Sequence, residues 1–175
     1  MRSYWLTICL MLSVLVGCKN KEDKQEPIPK EVTEKIISEE LSPQDIAKLK
    51  LTEFALDPQT KQRISDWQAY NKLDDLIINV KNADLNLFYN DDGDMETLVK
   101  NLKGNMPKNI QSEATEARVL AIETQLLKLK SIANLSTTKK PELLASIHGL
   151  LEAFYNLNFQ MNAKVEADNI TIEKP

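Results

Sequence analysis

The sequence predicts an all-α fold, an antiparallel bundle of four to five helices. Three observations carry that prediction. Apolar residues recur at steps of three and four through residues 42–167, the spacing that gathers them on one side of a helix. No run alternates apolar and polar residues for long enough to make a strand. Each helical stretch is also bracketed by residues that start or stop a helix.

The elements follow in order. Residues 30–40 read as a short polar helix. Ser42-Pro43-Gln44-Asp45 then supplies an N-cap, a proline suited to the first helical position and an acid in the first turn, with Ile46, Leu49 and Phe54 as the apolar face. Asp57-Pro58 repeats the start signal and opens one longer helix carrying Ile64, Trp67, Tyr70, Leu73, Ile77 and Val80, ending between residues 81 and 88. Asn90-Asp91-Asp92-Gly93-Asp94 is a turn from which Asp94 caps a short helix with Leu98, Val99 and Leu102, and Gly104 ends it. Pro107 separates this from a long helix over 109–134. Pro141, in a first turn, starts the last helix, which runs to about residue 165. There Leu143, Ile147, Leu150, Phe154, Leu157 and Met161 alternate steps of four and three, the seam of a helix lying nearly parallel to its neighbour. Three helices of roughly 25 residues would each reach ~35–40 Å. The breaks share no repeat, which argues against a solenoid.

Composition excludes several function classes. The chain has 175 residues, a net charge of −4, two cysteines, one histidine and four glycines. Two cysteines are too few for a disulfide scaffold, a mild negative charge does not suit a nucleic-acid binder, and one histidine cannot build a multi-histidine metal centre. Four glycines leave little room for a phosphate-cradling loop.

The N-terminus assigns a compartment. Met1-Arg2-Ser3 is a short basic start, and residues 4–16 form an apolar run of about 13 residues, well short of the ~20 that span a bilayer as a helix. Leu15-Val16-Gly17-Cys18 follows, and it resembles the lipobox of bacterial lipoprotein signal peptides. The resemblance implies that residues 1–17 are removed, Cys9 with them, and that Cys18 receives a diacylglyceryl group on its thiol and a further acyl chain on its freed amine. At ~0.8 kcal/mol per buried CH₂, two or three acyl chains hold a protein on a membrane almost permanently. Of the 22 Lys and Arg only Arg2 leaves with the signal, so 21 face 26 Asp and Glu. The body is acidic, and the lipid must do the anchoring.

Residues 19–29 are charged and interrupted by Pro27 and Pro29, a composition that expects a flexible tether. Lys19 directly after the cysteine resembles lipoproteins sent on to the outer membrane. The Lys-Glu-Asp cluster resembles the surface-export signals of Bacteroidota lipoproteins, so periplasm-facing and cell-surface placements both stay open. The expected organisation is a signal peptide at 1–17, a lipidated N-terminus and charged tether at 18–41, a helical bundle at 42–167 and a polar tail at 168–175.

Candidate chemistry is sparse. On the 109–134 helix, Ile122, Leu129 and Ile132 define part of an apolar arc, and Gln111, Arg118 and Gln125 sit inside it at seven-residue spacing. An arginine threaded between helices needs an anion, because an unpaired buried charge is very costly. Asp74 lies in the arc of Trp67, Tyr70 and Ile78, and Asn158 on the line of Leu144, Leu151 and Val165. These residues predict a buried polar layer of Asp74, Arg118, Gln125 and Asn158, which either fixes helix register or takes a small polar or anionic ligand. His148 reads as a structural boundary residue, since a di-iron bundle needs Glu-x-x-His and Ala145 stands at the glutamate position. An EF-hand placed on Gly93 would begin at Phe88 and end at Val99, where carboxylates are required. No nucleophile elbow is present.

These features favour a non-enzymatic, lipid-anchored interaction or accessory module of the cell envelope, with an envelope protein partner and no cofactor, metal or nucleic acid. The alternative is a ligand-binding lipoprotein using the layer around Arg118. In general look the chain resembles the helical lipoproteins of Bacteroidota.

Overall fold

The computed structural model describes residues 40–89 and 93–170. The expected signal peptide at 1–17, Cys18, the expected tether as far as residue 39, all but the last residue of the polar helix expected over 30–40, and residues 90–92 lie outside the described residues. Within them there are seven helices and no strand: α1 (Pro43–Ala47), α2 (Pro58–Arg63), α3 (Gln68–Lys81), α4 (Asn86–Tyr89), α5 (Asp94–Gly104), α6 (Glu113–Ala133) and α7 (Lys140–Asn169). The all-α class holds. No helix among the described residues is long and apolar enough to cross a membrane.

Helix starts follow local chemistry. In α1 the Ser42 hydroxyl accepts from the Asp45 N–H at 3.3 Å while the Asp45 carboxylate accepts from the Ser42 N–H at 3.1 Å, a reciprocal capping box. The helix ends at Ala47, so Leu49 and Phe54 reach the core from a turn and an extended segment instead of a helical face. Ser112 caps α6 by accepting from the Thr115 N–H at 3.1 Å. That start falls four residues later than expected because Pro107 to Ile110 close a turn of their own. At α5 the cap is Gly93, at φ 79°, and Asp94 is the first helical residue, an acid complementing the dipole instead of the cap.

The helix expected after Asp57-Pro58 is two helices. Ile64, Trp67, Tyr70, Leu73, Ile77 and Val80 are all buried as expected, yet the backbone turns between Arg63 and Gln68. Polar side chains satisfy the carbonyls that the break frees: the Ser65 hydroxyl donates to Gln62 O, and Asn71 Nδ2 donates to Ser65 O. Trp67, outside the helix, is fully buried and stacks on Tyr70 with ring centroids 5.7 Å apart. Only α6, with 21 residues, and α7, with 30, approach the three long helices expected.

α3 closes with a Schellman turn. The Asp84 N–H reaches Asn79 O and the Ala83 N–H reaches Val80 O, both at 2.9 Å. Ala83 pivots the chain at φ 63°, where glycine is usual.

The α6–α7 hairpin, joined by residues 134–139, makes the largest contact in the molecule. Thr115, Val119, Ile122, Leu126 and Leu129 from α6 meet Ile147, Leu150, Phe154, Leu157 and Met161 from α7, all buried. The seam expected on the last helix is therefore the hairpin core. α1 and α2 pack on α7, α4 and α5 pack on α6, and α3 bridges between α5 and α1.

Residues 48–57 run along α7 without secondary structure, and α7 side chains satisfy their backbone. The His148 Nε2–H donates to Lys50 O at 3.2 Å, Asn158 Nδ2 to Phe54 O at 3.0 Å, and Asn162 Nδ2 to Ala55 O at 2.8 Å. Asn162 Oδ1 also accepts from the Asp57 N–H at 3.0 Å. Each end of this strap is fixed by charge. Lys140 pairs with Asp45 at 2.6 Å near its start, and beyond it Arg63 pairs with Asp168 at 3.3 Å. The second contact holds α7 helical to Asn169, two residues into the expected polar tail at 168–175.

Candidate functional site

The expected buried layer does not form around Arg118. Its side chain is exposed. The reason lies in α6, whose exposed side also carries apolar residues, Ala117, Leu120 and Leu127. With apolar residues on two sides, the wheel misplaces the arc: the buried line is Thr115, Val119, Ile122, Leu126 and Leu129, and Arg118 sits at its edge, where a long side chain reaches water. Gln111 is exposed too.

The other three members are separate. Asp74 is half-buried, and the charges that act on it are Asp75 and Lys61. Burial, reinforced by Asp75, pushes its carboxyl above the usual range. Gln125 is half-buried against α7, and its Oε1 has no donor among the described residues. It rests where a Cβ on Gly149 would come within 2.7 Å, so the glycine makes room for the amide. Asn158 alone joins a buried network. Its Oδ1 accepts from the Tyr70 hydroxyl at 2.8 Å while its Nδ2 holds Phe54 O. Burial and the charge of Asp74 push the Tyr70 hydroxyl up, so it stays a neutral donor. Asn158 ties α3, α7 and the strap together, which is the register-fixing role. Cys18 lies outside the described residues. His148, half-buried, holds the strap.

A different site emerges between α3 and α5. Gln68, Lys72, Asp75 and Asn79 recur at steps of three and four along one side of α3, and Asp94, Thr97, Asn101 and Asn105 do the same along α5 and its C-cap. The two polar rows border one groove of about 370 Å³, with Ala69, Leu76, Met95 and Leu98 contributing apolar surface between them. Its volume is that of a ligand or peptide cleft. Among the described residues, the side chains of Gln68, Lys72, Asp75 and Asn79 have no hydrogen-bond or ion-pair partner.

The lining is rich in groups that hydrogen-bond. The carboxamides of Gln68, Asn79, Asn101 and Asn105 carry donors and acceptors that complement a peptide group, with Asn105 Nδ2 also donating to Asn101 Oδ1 at 3.5 Å. From Gln68 to Asn79 the row is ~17 Å long, enough for about five residues of extended chain. Sequence reasoning passed over these residues, because a polar row at helical spacing looks like a solvated face. The available signal was that two such rows, 68/72/75/79 and 94/97/101/105, flank apolar neighbours on two nearby helices.

Among the described residues no group of three or more His, Cys, Asp or Glu side chains is placed to hold a metal ion. Comparison with protein-family models, with curated proteins and with solved structures finds no match to this chain.

Proposed function

We propose that the chain is a bacterial envelope lipoprotein, anchored through Cys18, whose helical domain is a non-enzymatic accessory module that receives an extended polypeptide segment of an envelope partner in the α3–α5 groove. The observation that carries the proposal is the pair of facing polar rows over apolar surface, whose carboxamides match a peptide backbone in both donors and acceptors. The lipobox Leu15-Val16-Gly17-Cys18 and Lys19 support the membrane anchor and an outer-membrane address.

Photo-crosslinking in intact cells tests the groove. A photoreactive residue placed at Asn79 or Asn101 should trap one defined partner, and the same residue at Lys128, exposed on α6, should not. Filling the groove by Thr97→Trp, at an exposed position of α5, should abolish the adduct while the fold is retained. Adducts of equal yield at all three positions, or adducts indifferent to Thr97→Trp, refute the groove as a docking site.

A further inference from the structure

We infer that the tip of the α6–α7 hairpin is the face of the domain that rests on the membrane, with Leu135 and Tyr89 entering the interfacial layer of a phospholipid surface. The inference rests on the anchor at Cys18 proposed above. It is carried by where the chain enters the fold. Lys140, at the start of α7, donates to Glu40 O at 3.1 Å and pairs with Asp45, so the segment arriving from Cys18 joins the domain at the hairpin tip. Twenty-one residues separate Cys18 from Glu40, and such a segment spans at most ~75 Å. The far end of α7 lies a further ~45 Å away along the helix. The tip is therefore the point at which the anchored chain enters the domain.

The tip is also built to present apolar side chains. Leu135 is 53% exposed on a short loop whose backbone is held at both ends, by Asn134 Nδ2 on Lys130 O at 2.8 Å and by the Thr138 hydroxyl on Ile132 O at 2.6 Å. Asn134 Nδ2 also donates to Phe88 O at 2.7 Å, which seats the end of α4 beside the loop and puts Tyr89, 51% exposed, at the same tip. A leucine and a tyrosine held out by ordered backbone, beside the exposed Lys139, make the apolar, amphipathic and cationic set that suits a headgroup boundary. Such contacts are weak alone. A tether converts them into an intramolecular event, so they need only modest intrinsic affinity to orient the domain.

Single-cysteine labelling of the full, lipidated chain tests this. The mature chain keeps no free thiol once Cys18 is acylated, so Leu135→Cys, Tyr89→Cys and Ile170→Cys each give one labelling site. Ile170, 64% exposed at the far end of α7, is the apolar control. Each variant carries an environment-sensitive fluorophore and is reconstituted into phosphatidylethanolamine–phosphatidylglycerol vesicles containing a lipid quencher. Quenching several-fold stronger at 135 and 89 than at 170 is expected. Equal quenching at all three, or none at 135 and 89 with Cys18 shown by mass to be acylated, overturns the membrane-facing tip and leaves the anchor standing. A free Cys18 thiol in the mass spectrum overturns both.

Discussion

Replacing Asn158 with leucine isolates the one member of the expected polar layer that the fold uses. The substitution keeps roughly the same volume and removes two hydrogen bonds, from the Tyr70 hydroxyl at 2.8 Å and to Phe54 O at 3.0 Å. Tyr70 and Asn158 are both buried, so the hydroxyl left behind keeps its full desolvation cost, ~1–3 kcal/mol, whereas the half-buried Phe54 carbonyl loses a bond worth about 1 kcal/mol. The expected destabilisation is about 3 kcal/mol, or about 10 °C in Tm for a domain of this size. Tyr70→Phe alone should cost about 1 kcal/mol, since it removes a donor and leaves the ring on Trp67 and Phe154. The double variant should cost about 2 kcal/mol, less than the sum, because neither partner is left unpaired. Urea unfolding of the four proteins, each begun at residue 18 and with Cys18→Ser, followed by circular dichroism, gives the cycle. Additive effects within about 0.5 kcal/mol would refute a direct, buried Tyr70–Asn158 bond.

Three further outcomes can be measured in the same background. Ala83→Gly should raise stability by about 0.5–1 kcal/mol, because the left-handed φ of 63° strains an alanine by more than glycine loses in chain entropy; a loss of stability in urea unfolding would contradict the Schellman assignment. Two carboxylates should pull the pH profile in opposite directions. The Lys140 ammonium and the Ser42 hydroxyl hold Asp45 down at about 2, so its contribution is complete above the ordinary carboxylate value and is lost as pH falls from about 4 toward 2; Lys140→Met should flatten that acid limb. Asp74 is raised by burial, so it favours folding at low pH and costs stability as pH rises past the ordinary value; Asp74→Asn should raise Tm at pH 7 and leave it unchanged at pH 3. An Asp74→Asn Tm below the parent's at pH 7 would show that the carboxylate has a stabilising partner.

How much of this was legible in the sequence depends on the range of the interaction that decides each feature. Features set within one helical turn read well. Ser42 with Asp45 and the prolines at 43, 58 and 141 each sit where a helix begins, because capping and the missing N–H are local. The α7 seam was legible because its steps of four and three run unbroken from Leu143 to Met161, although Leu151, Ala153 and Tyr155 beside it are buried too. α6 was not, since Leu120 and Leu127 repeat on its exposed side the spacing of Val119 and Leu126 on its buried side, and spacing alone cannot tell which side the partner covers. The break after Arg63 was hidden for a related reason: Ile64, Trp67, Tyr70 and Leu73 keep helical steps across it, while the groups that stabilise the turn, Ser65 and Asn71, are ordinary surface residues by composition. The groove was the least legible feature. Gln68 to Asn79 and Asp94 to Asn105 are each a solvated row taken singly, and they become a site only because α5 packs against α3. The proposed recognition therefore depends on where two polar rows are brought together, a long-range property that neither row carries alone, whereas Arg118 stands out singly and is left at the surface.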